Sequence, residues 1–374
     1  MVAAGFKVVS HTDIPPHVWD DVVSARAHSP KLRYDWANAA AAAYSRNGAL
    51  SVIVVGPVSR PDALLPLSVS PEGLHRHAFV ANDDGGLGVP CRSETVLPDL
   101  ADALIRLRMP VELGYYPAND PFIGELQSAA RGRAQVLVKP QEIPAAPWLD
   151  LDPSWAEPLD HLKPSLRQSI RRNGRRLAEQ GAVQLDFRTP EAQEVDAVLE
   201  TMVEVESRSW KERTGTALVH DDRQQAFFRH YATAAAAAGR FHVATLSLDG
   251  RPLAMSLGEI ADDVYWAYKI GYDEGFAKFG PGVLLQYHLI GHLAARGVTR
   301  IEMQGQLVDY KRKWTDQAVE TVAVRIYPNT PRGMLAAGAD VWRQFRKHRH
   351  AKVEAKAREG ARQPAPGFRP AQAS

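Results

Sequence analysis

The 374 residues are 45% hydrophobic and 24% charged with a net charge of +2, which excludes a disordered or fibrous chain and, at roughly 100–200 residues per domain, predicts two domains. A single cysteine, Cys91, excludes an internal disulfide and any cysteine-based zinc or iron–sulfur cage, and fits a reducing compartment. No run approaches about 18 apolar residues, and the N-terminus lacks a cationic start followed by an apolar stretch, so neither secretion nor membrane spanning is expected and a cytoplasmic protein is.

In chain order, His17 to His28 and Tyr34 to Arg46 read as helices, and LSVIVVG and ALLPLSV as strands from their β-branched, alternating residues. DDGGLGVP is a glycine-rich turn, LPDLADALIRL a helix and MPVELGYY a strand. Pro140, Pro144 and Pro147 in KPQEIPAAPWLD suit neither helix nor central strand, which places a domain boundary there. Beyond it, Pro164 opens a helix with Leu166, Ile170 and Leu177 on one face, and with Arg171/Arg175 and Arg172/Arg176 at i,i+4. AVQLDFR is a strand; Glu191 to about Lys211 and RQQAFFRHYATAAAAA are helices. Three strands follow, FHVATLSLDG, PLAMSLGEI and DDVYWAYKIGYD, the first two joined at the Asp249-Gly250 pair of a tight hairpin. The loop EGFAKFGPG then leads into a helix from Pro281 to Arg296 and a strand TRIEMQG. After VETVAVRIY, a final helix from about Pro331 carries Met334, Ala337, Val341, Trp342 and Phe345 at helical spacing and runs into RKHRH. That pattern describes either an interfacial membrane helix or, as expected here, a helix docked on its own core with a basic exposed end. GARQPAPGFRPAQAS reads as a disordered tail.

Charge is unevenly spread. Residues 341–374 hold nine Lys/Arg against two Glu, a local excess of +7, so the rest of the chain is about −5. A second cluster joins Lys163, Arg167, Arg171, Arg172, Arg175 and Arg176 against Glu179. Two basic surfaces on a near-neutral protein suit phosphates, a membrane surface or RNA, or are simply solvated helix faces.

One loop carries chemistry. In FAKFGPGVLL a strand is followed by Gly280, Pro281 and Gly282 and then by a helix, whose first-turn N–H groups make an anion site. A pyrophosphate fits there, and so does a plain turn. His288 and His292 stand at i,i+4 without an evident third ligand, so no metal is expected.

The succession FHVATLSLDGRPLAMSLGEI, YWAYKIGYD, FAKFGPGVLL and IEMQG, then YKRKW, resembles the GNAT acyltransferase superfamily. WLDLDPSW, LRQSIRRNGRRLAEQG and SWKERTG extend the likeness to its cellulose-biosynthesis-type acetyltransferase branch, related to the Fem aminoacyltransferases. Residues 148 to 315 carry the pattern; SPKLRYDW and ALLPLSV are weaker echoes in the first half. The resemblance implies an α/β (α+β) fold of two tandem GNAT-like domains, each a mixed, mainly antiparallel sheet flanked by helices. The expected division is a degenerate GNAT-like domain over 1–147, an acyltransferase domain over 148–330, a basic helix over 331–359 and a tail over 360–374.

It also implies transfer of an acyl group from acyl-CoA or acetyl-CoA, or from an acyl carrier protein, to an amine of a lipid, sugar or small metabolite. Gly280, Gly282, Val283 and Leu284 would bind the pyrophosphate. Ala277 stands where the superfamily has Gln or Arg, with Lys278 beside it to supply the charge. Amine attack on a thioester needs a base and an acid: Asp273 and Glu302 are the candidate bases, each also readable as a strand-end carboxylate. Tyr310 and Lys311 are candidates for acid and anion-stabilising roles. Trp210, Lys211 and Arg213 are candidate acceptor-binding residues, and Arg171 and Arg175 are candidates for the phosphates of a substrate. The basic helices suit the inner membrane face. A DNA partner is not expected. The competing expectations are a Fem-type transferase using aminoacyl-tRNA, the only reading with a tRNA partner, and an inactive GNAT-like binding module in envelope polysaccharide assembly.

Overall fold

The computed structural model describes residues 5–26, 29–45, 47–69, 76–78, 87–209, 218–343 and 345–346. Two mainly antiparallel sheets are each flanked by helices. The first contains β1 (Phe6–Ser10), β2 (Ser51–Val55), β3 (Ala63–Val69), β4 (Arg76–Ala78), β5 (Val111–Pro117) and β6 (Ala134–Pro140). The second contains β7 (Trp148–Asp150), β8 (Val183–Arg188), β9 (Phe241–Leu248), β10 (Arg251–Ala261), β11 (Val264–Tyr272) and β12 (Arg300–Glu302). The last strand, β13 (Thr321–Pro328), returns to the first sheet.

The strand orders are β1-β2-β3-β4-β5-β13-β6 and β8-β9-β10-β11-β12-β7. Each sheet is antiparallel except at one pair, β4–β5 in the first and β11–β12 in the second. The slot beyond that pair is filled in the first sheet by β13, from the other half of the chain, and in the second by β7, the strand that opens its own half just past the proline-rich break. β7 follows β6 in sequence but pairs antiparallel with β12; β13 follows the second sheet but lies between β5 and β6. The expected division at residue 330 therefore cuts across the observed pairing. The proline-rich break is a crossing point between sheets, and Thr321–Pro328 packs with the N-terminal half.

Asp249 (φ 49°) and Gly250 (φ 79°) make the tight turn between β9 and β10, both in the left-handed region that such hairpins require. α5 (Pro164–Ala178) and α8 (Pro281–Ala295) cover one face of the second sheet, where Ile170, Leu177, Leu284, Leu285, Ile290 and Ile301 share a core. α6 (Val195–Ser207) and α7 (Asp222–Ala237) cover the other, through Met202, Val205, Ala235 and Leu257. α6 begins after a single 3-10 turn and ends at Ser207, short of the expected Lys211. α1 (Pro16–Ser24), α2 (Tyr34–Tyr44), α3 (Leu97–Arg106) and α4 (Phe122–Ala129) pack with the first sheet.

The halves meet through α2 and α7. Trp36 of α2 lies edge-on to Phe227 and Tyr231 of α7, with ring centroids 4.7 and 4.8 Å away. Beside them Glu259, fully buried, accepts from Arg240 Nε at 2.6 Å, from Tyr268 at 3.0 Å and from the Tyr231 hydroxyl. Arg240 continues to Asp35 of α2 at 3.1 Å. A buried carboxylate is tolerated because each oxygen has a charged or hydroxyl donor; burial beside that charge pushes the Tyr231 and Tyr268 phenols well above their ordinary range.

A helix over residues 331–343, here α9, follows β13, with 345 and 346 also helical. Its buried face is not the apolar stripe that the sequence suggested. Gly333, Ala336 and Asp340 are buried, whereas Met334, Val341, Trp342 and Phe345 are exposed. Gly333 sits so close to the Pro328 carbonyl that a Cβ there would lie 1.9 Å from it, and Asp340 accepts from Tyr327 (2.5 Å) and pairs with Arg325 (3.3 Å). Small size and an ion pair decide the docking face. Residues 347–374, with the expected tail, lie outside the described residues. Among the described residues no helix is long and apolar enough to cross a membrane.

Because, among the described residues, β13 is the only strand paired with β6 and one of two paired with β5, a fragment of residues 1–147 is expected to lack cooperative thermal unfolding, while the full chain shows it. Calorimetry of both checks this; a fragment that melts sharply would mean the exchanged strand is dispensable.

Candidate functional site

The site lies where the second sheet opens. β11 and β12 pair in parallel over three positions, ending at Trp266↔Glu302, after which β11 continues to Tyr272 paired with β10. A bulge opposite Leu257/Gly258 leaves Tyr268 as the extra residue on β11, bending the strand where β12 stops. Beyond Trp266 the two parallel strands therefore part.

At the end of β11, Asp273 turns the chain. Its carboxylate accepts the Gly275 N–H at 2.9 Å and pairs with Arg251 (2.6 Å) and Arg208 (2.9 Å), and the side chain is buried. Two guanidiniums and a cap occupy its oxygens, so Asp273, a candidate base from sequence, anchors the loop instead. A 3-10 turn (Glu274–Phe279) then reaches Gly280, at φ 60°, which starts α8. Here too the sequence reading needs correction. The Val283 and Leu284 N–H groups, expected to bind phosphate, both donate to the Gly280 carbonyl at 3.0 Å, and the Gly280 N–H to Ala277 at 2.9 Å. Pro281 has no N–H, which leaves Gly282 with the first-turn donor that has no backbone acceptor among the described residues. A Cβ on Gly282 would stand 3.2 Å from the Tyr272 ring.

Cations lie beside the loop. α5 packs against it: Asn173 Nδ2 is 3.1 Å from where a Cβ of Gly280 would be, and the Arg176 guanidinium lies 5.4 Å from the Phe279 ring. The Lys278 ammonium lies 4.9 Å from the same ring. Arg171, Arg172 and Arg175 are exposed on α5, and the Arg171 charge opposes the burial that raises the Tyr287 phenol on α8. The arginine helix thus stands beside the Gly280–Gly282 loop. The Asn173 Oδ1 is buried without a partner, a polar atom turned toward no protein donor.

Across the cleft, Glu302 ends β12. The register sets Trp148 of β7 and Trp266 of β11 directly beside it on the two neighbouring strands, so all three side chains project from one face. Burial between them pushes the Glu302 carboxyl up to about 7, reinforced by the Asp150 charge and opposed by Arg300 and by Lys31 of the N-terminal half. The Arg300 guanidinium is 3.8 Å away. Both indole N–H groups, of Trp148 and Trp266, and the Nε2 of Gln304 two residues on, are buried without a hydrogen-bond partner. A carboxyl that titrates near neutrality, walled by aromatic rings and orphaned donors, is suited to move a proton.

Lys311 is buried and its Nζ donates to the Gln304 carbonyl, which fixes the chain just past Glu302. That is a positioning contact. Tyr310, 43% exposed, opens the same turn, and Trp314 packs in the core. Trp210, Lys211 and Arg213 lie outside the described residues. His292 stacks on Phe187 at 4.3 Å, and among the described residues no cluster of three or more His, Cys, Asp or Glu forms a metal site. Sequence reasoning passed over Trp148, Trp266, Lys31 and Gln304; the alternation of WLD and VYWAYK placed the tryptophans on a strand face, but not beside Glu302.

Residues 164–312 match the family model described as Acetyltransferase (GNAT) domain. Solved structures resemble the whole chain at low identity. FemX is 12% identical with a TM-score of 0.55, covering 85% of this chain and 96% of its own. A conserved protein of unknown function from Bacteroides thetaiotaomicron gives 12%, 0.55, 86% and 99%. The C-terminal domain of a putative lysylphosphatidylglycerol synthetase from Agrobacterium fabrum gives 15%, 0.53, 88% and 96%. These likenesses show the fold. No curated protein matches the sequence. The β11–β12 opening, the Gly280–Gly282 loop and Glu302 lie within the matched residues.

A carboxyl raised from its ordinary value of 4.5 to about 7 binds its proton more tightly in the folded state. Stability should therefore fall as pH rises from about 4.5 to about 7 and stay reduced above, by about 3 kcal/mol. Urea midpoints across this window should show the decline in the native protein and not in Glu302→Gln.

Proposed function

We propose that the protein is an N-acyltransferase that moves the acyl group of an acyl-CoA, acetyl-CoA included, to an amine of a small metabolite, sugar or lipid-like acceptor by direct attack on the thioester. The observation that carries this reading is Glu302, raised to about 7 at the end of β12, across the β11–β12 opening from the Gly280–Gly282 loop. The finer kinship, with the cellulose-biosynthesis-type branch, belongs to the same proposal and rests on the SWKERTG and YKRKW segments. So does the reading of the first sheet as a degenerate GNAT-like unit, supported by its matching strand order and its own single parallel pair, β4–β5.

The donor enters with its pyrophosphate at the Gly282 N–H and its charge met by Lys278 and the arginines of α5. Its pantetheine arm lies along β11 beyond Trp266, where β12 has ended, which brings the thioester into the opening. An acceptor ammonium loses a proton to the Glu302 carboxylate; the freed amine lone pair forms the C–N bond at the thioester carbon. Outward-facing N–H groups of the bent β11 edge receive the developing oxyanion. As the tetrahedral intermediate collapses, the C–S bond breaks, the thiolate takes a proton from Tyr310, and the second proton of the attacking nitrogen passes to the Tyr310 phenolate, which leaves a neutral amide, a free thiol and the Glu302 carboxyl to release its proton to solvent. No covalent enzyme intermediate is needed.

Calorimetry with acetyl-CoA, a longer acyl-CoA and free coenzyme A is expected to detect binding that Gly282→Asp abolishes, because the added side chain meets Tyr272 and brings a negative charge to the phosphate position. Absence of binding to the native protein would overturn the donor and favour a carrier-protein or aminoacyl-tRNA thioester or ester. Glu302→Gln should lower kcat about a hundredfold to ten-thousandfold with donor affinity kept, and should remove the rise of kcat/KM centred on a pH of about 7. Tyr310→Phe should reduce kcat more than donor affinity; an effect on affinity alone would make Tyr310 a binding residue.

A further inference from the structure

We propose that α9 is a membrane-docking helix that lays its exposed apolar face into the surface of an anionic phospholipid bilayer. The orientation of the helix is fixed by the face it buries. Thr330 caps its first turn by accepting the Gly333 N–H (3.1 Å), Gly333 presses on the Pro328 carbonyl, Ala336 is fully buried, and Asp340 is held by Tyr327, Arg325 and Arg343. What this leaves outside is a stripe of large apolar side chains: Met334 is 66% exposed, Leu335 68%, Val341 69%, Trp342 60% and Phe345 54%. On a helix of 3.6 residues per turn these five occupy one continuous face. A folded protein that has a core to offer rarely leaves a contiguous patch of this size in water unless something else covers it.

Charge identifies the cover. Arg332, Arg343 and Arg346 flank the apolar face, and residues 341–374 hold nine Lys/Arg against two Glu. Two copies joined face to face through this helix would bring two such +7 segments together, a repulsion that a bilayer of anionic lipid turns into attraction. Apolar side chains on one side of a helix with arginines at its border, and an amphipathic Trp342 among them, is the arrangement that partitions into a headgroup region without spanning it. The inference is independent of the acyl-transfer reading, since α9 lies against β13 of the first sheet and outside the GNAT domain.

The test is co-sedimentation of the full chain with vesicles of phosphatidylcholine, and of phosphatidylcholine mixed with phosphatidylglycerol. The native protein is expected to bind the mixed vesicles, more weakly at high salt. Leu335→Glu and Trp342→Glu, both at exposed positions, should each lower the bound fraction more than about tenfold, with unchanged circular dichroism and melting. Failure of the native protein to bind phosphatidylglycerol vesicles would overturn the proposal, as would binding that both variants retain. So would sedimentation velocity showing a dimer of the native chain that these variants dissociate, which would assign the face to a second copy.

Discussion

The first sheet is completed by a strand that the other half of the chain supplies. β13 follows the whole second sheet in sequence yet fills the place between β5 and β6. Backbone hydrogen bonding allows no substitute for it, because an unpaired strand edge within a packed sheet leaves donors and acceptors unsatisfied. The chain is therefore two sheets but one folding problem. The buried Glu259 with Arg240, Tyr231 and Tyr268, and the Trp36 aromatic cluster, reinforce a connection that the exchanged strand already imposes.

The candidate site depends on the pairing of β7 with β12. Trp148 comes from β7, and its place beside Glu302 removes water from one side of the carboxyl as Trp266 does from the other. Lys31, from the N-terminal half, adds a charge that draws the carboxyl back toward ionisation. The balance leaves it near neutrality, where a proton acceptor works best. The opposite wall of the cleft uses different physics: an anchored loop, one free N–H and a rim of arginines, all of them on residues close in sequence. The first wall is built from long-range pairing and the second from local turn chemistry.

That difference explains what could be read in advance. The Asp249-Gly250 turn, the loop entering α8 and the arginine-bearing helix are local, and residue type at each position is enough to place them. Glu302 was visible as a strand-end carboxylate, but the sequence also allowed Asp273. The choice between them is made by Arg208 and Arg251, which are distant in the chain from Asp273 and from each other. The same limit applies to Val283 and Leu284: helical geometry makes their N–H groups potential donors, while the left-handed Gly280 turns its carbonyl to receive both.

The C-terminal helix separates the two kinds of information most clearly. Its period, its apolar stripe and the basic segment beyond follow from the sequence alone, as does the fold class. Which face of that helix is buried does not follow. Apolar content favours Met334, Val341, Trp342 and Phe345, yet the first sheet presents the Pro328 carbonyl, Tyr327 and Arg325, against which only a glycine, an alanine and a carboxylate fit. Hydrophobicity is a property of residues and is written along the chain. Steric fit and charge pairing are properties of two surfaces, and the second surface exists only once β13 has joined the first sheet.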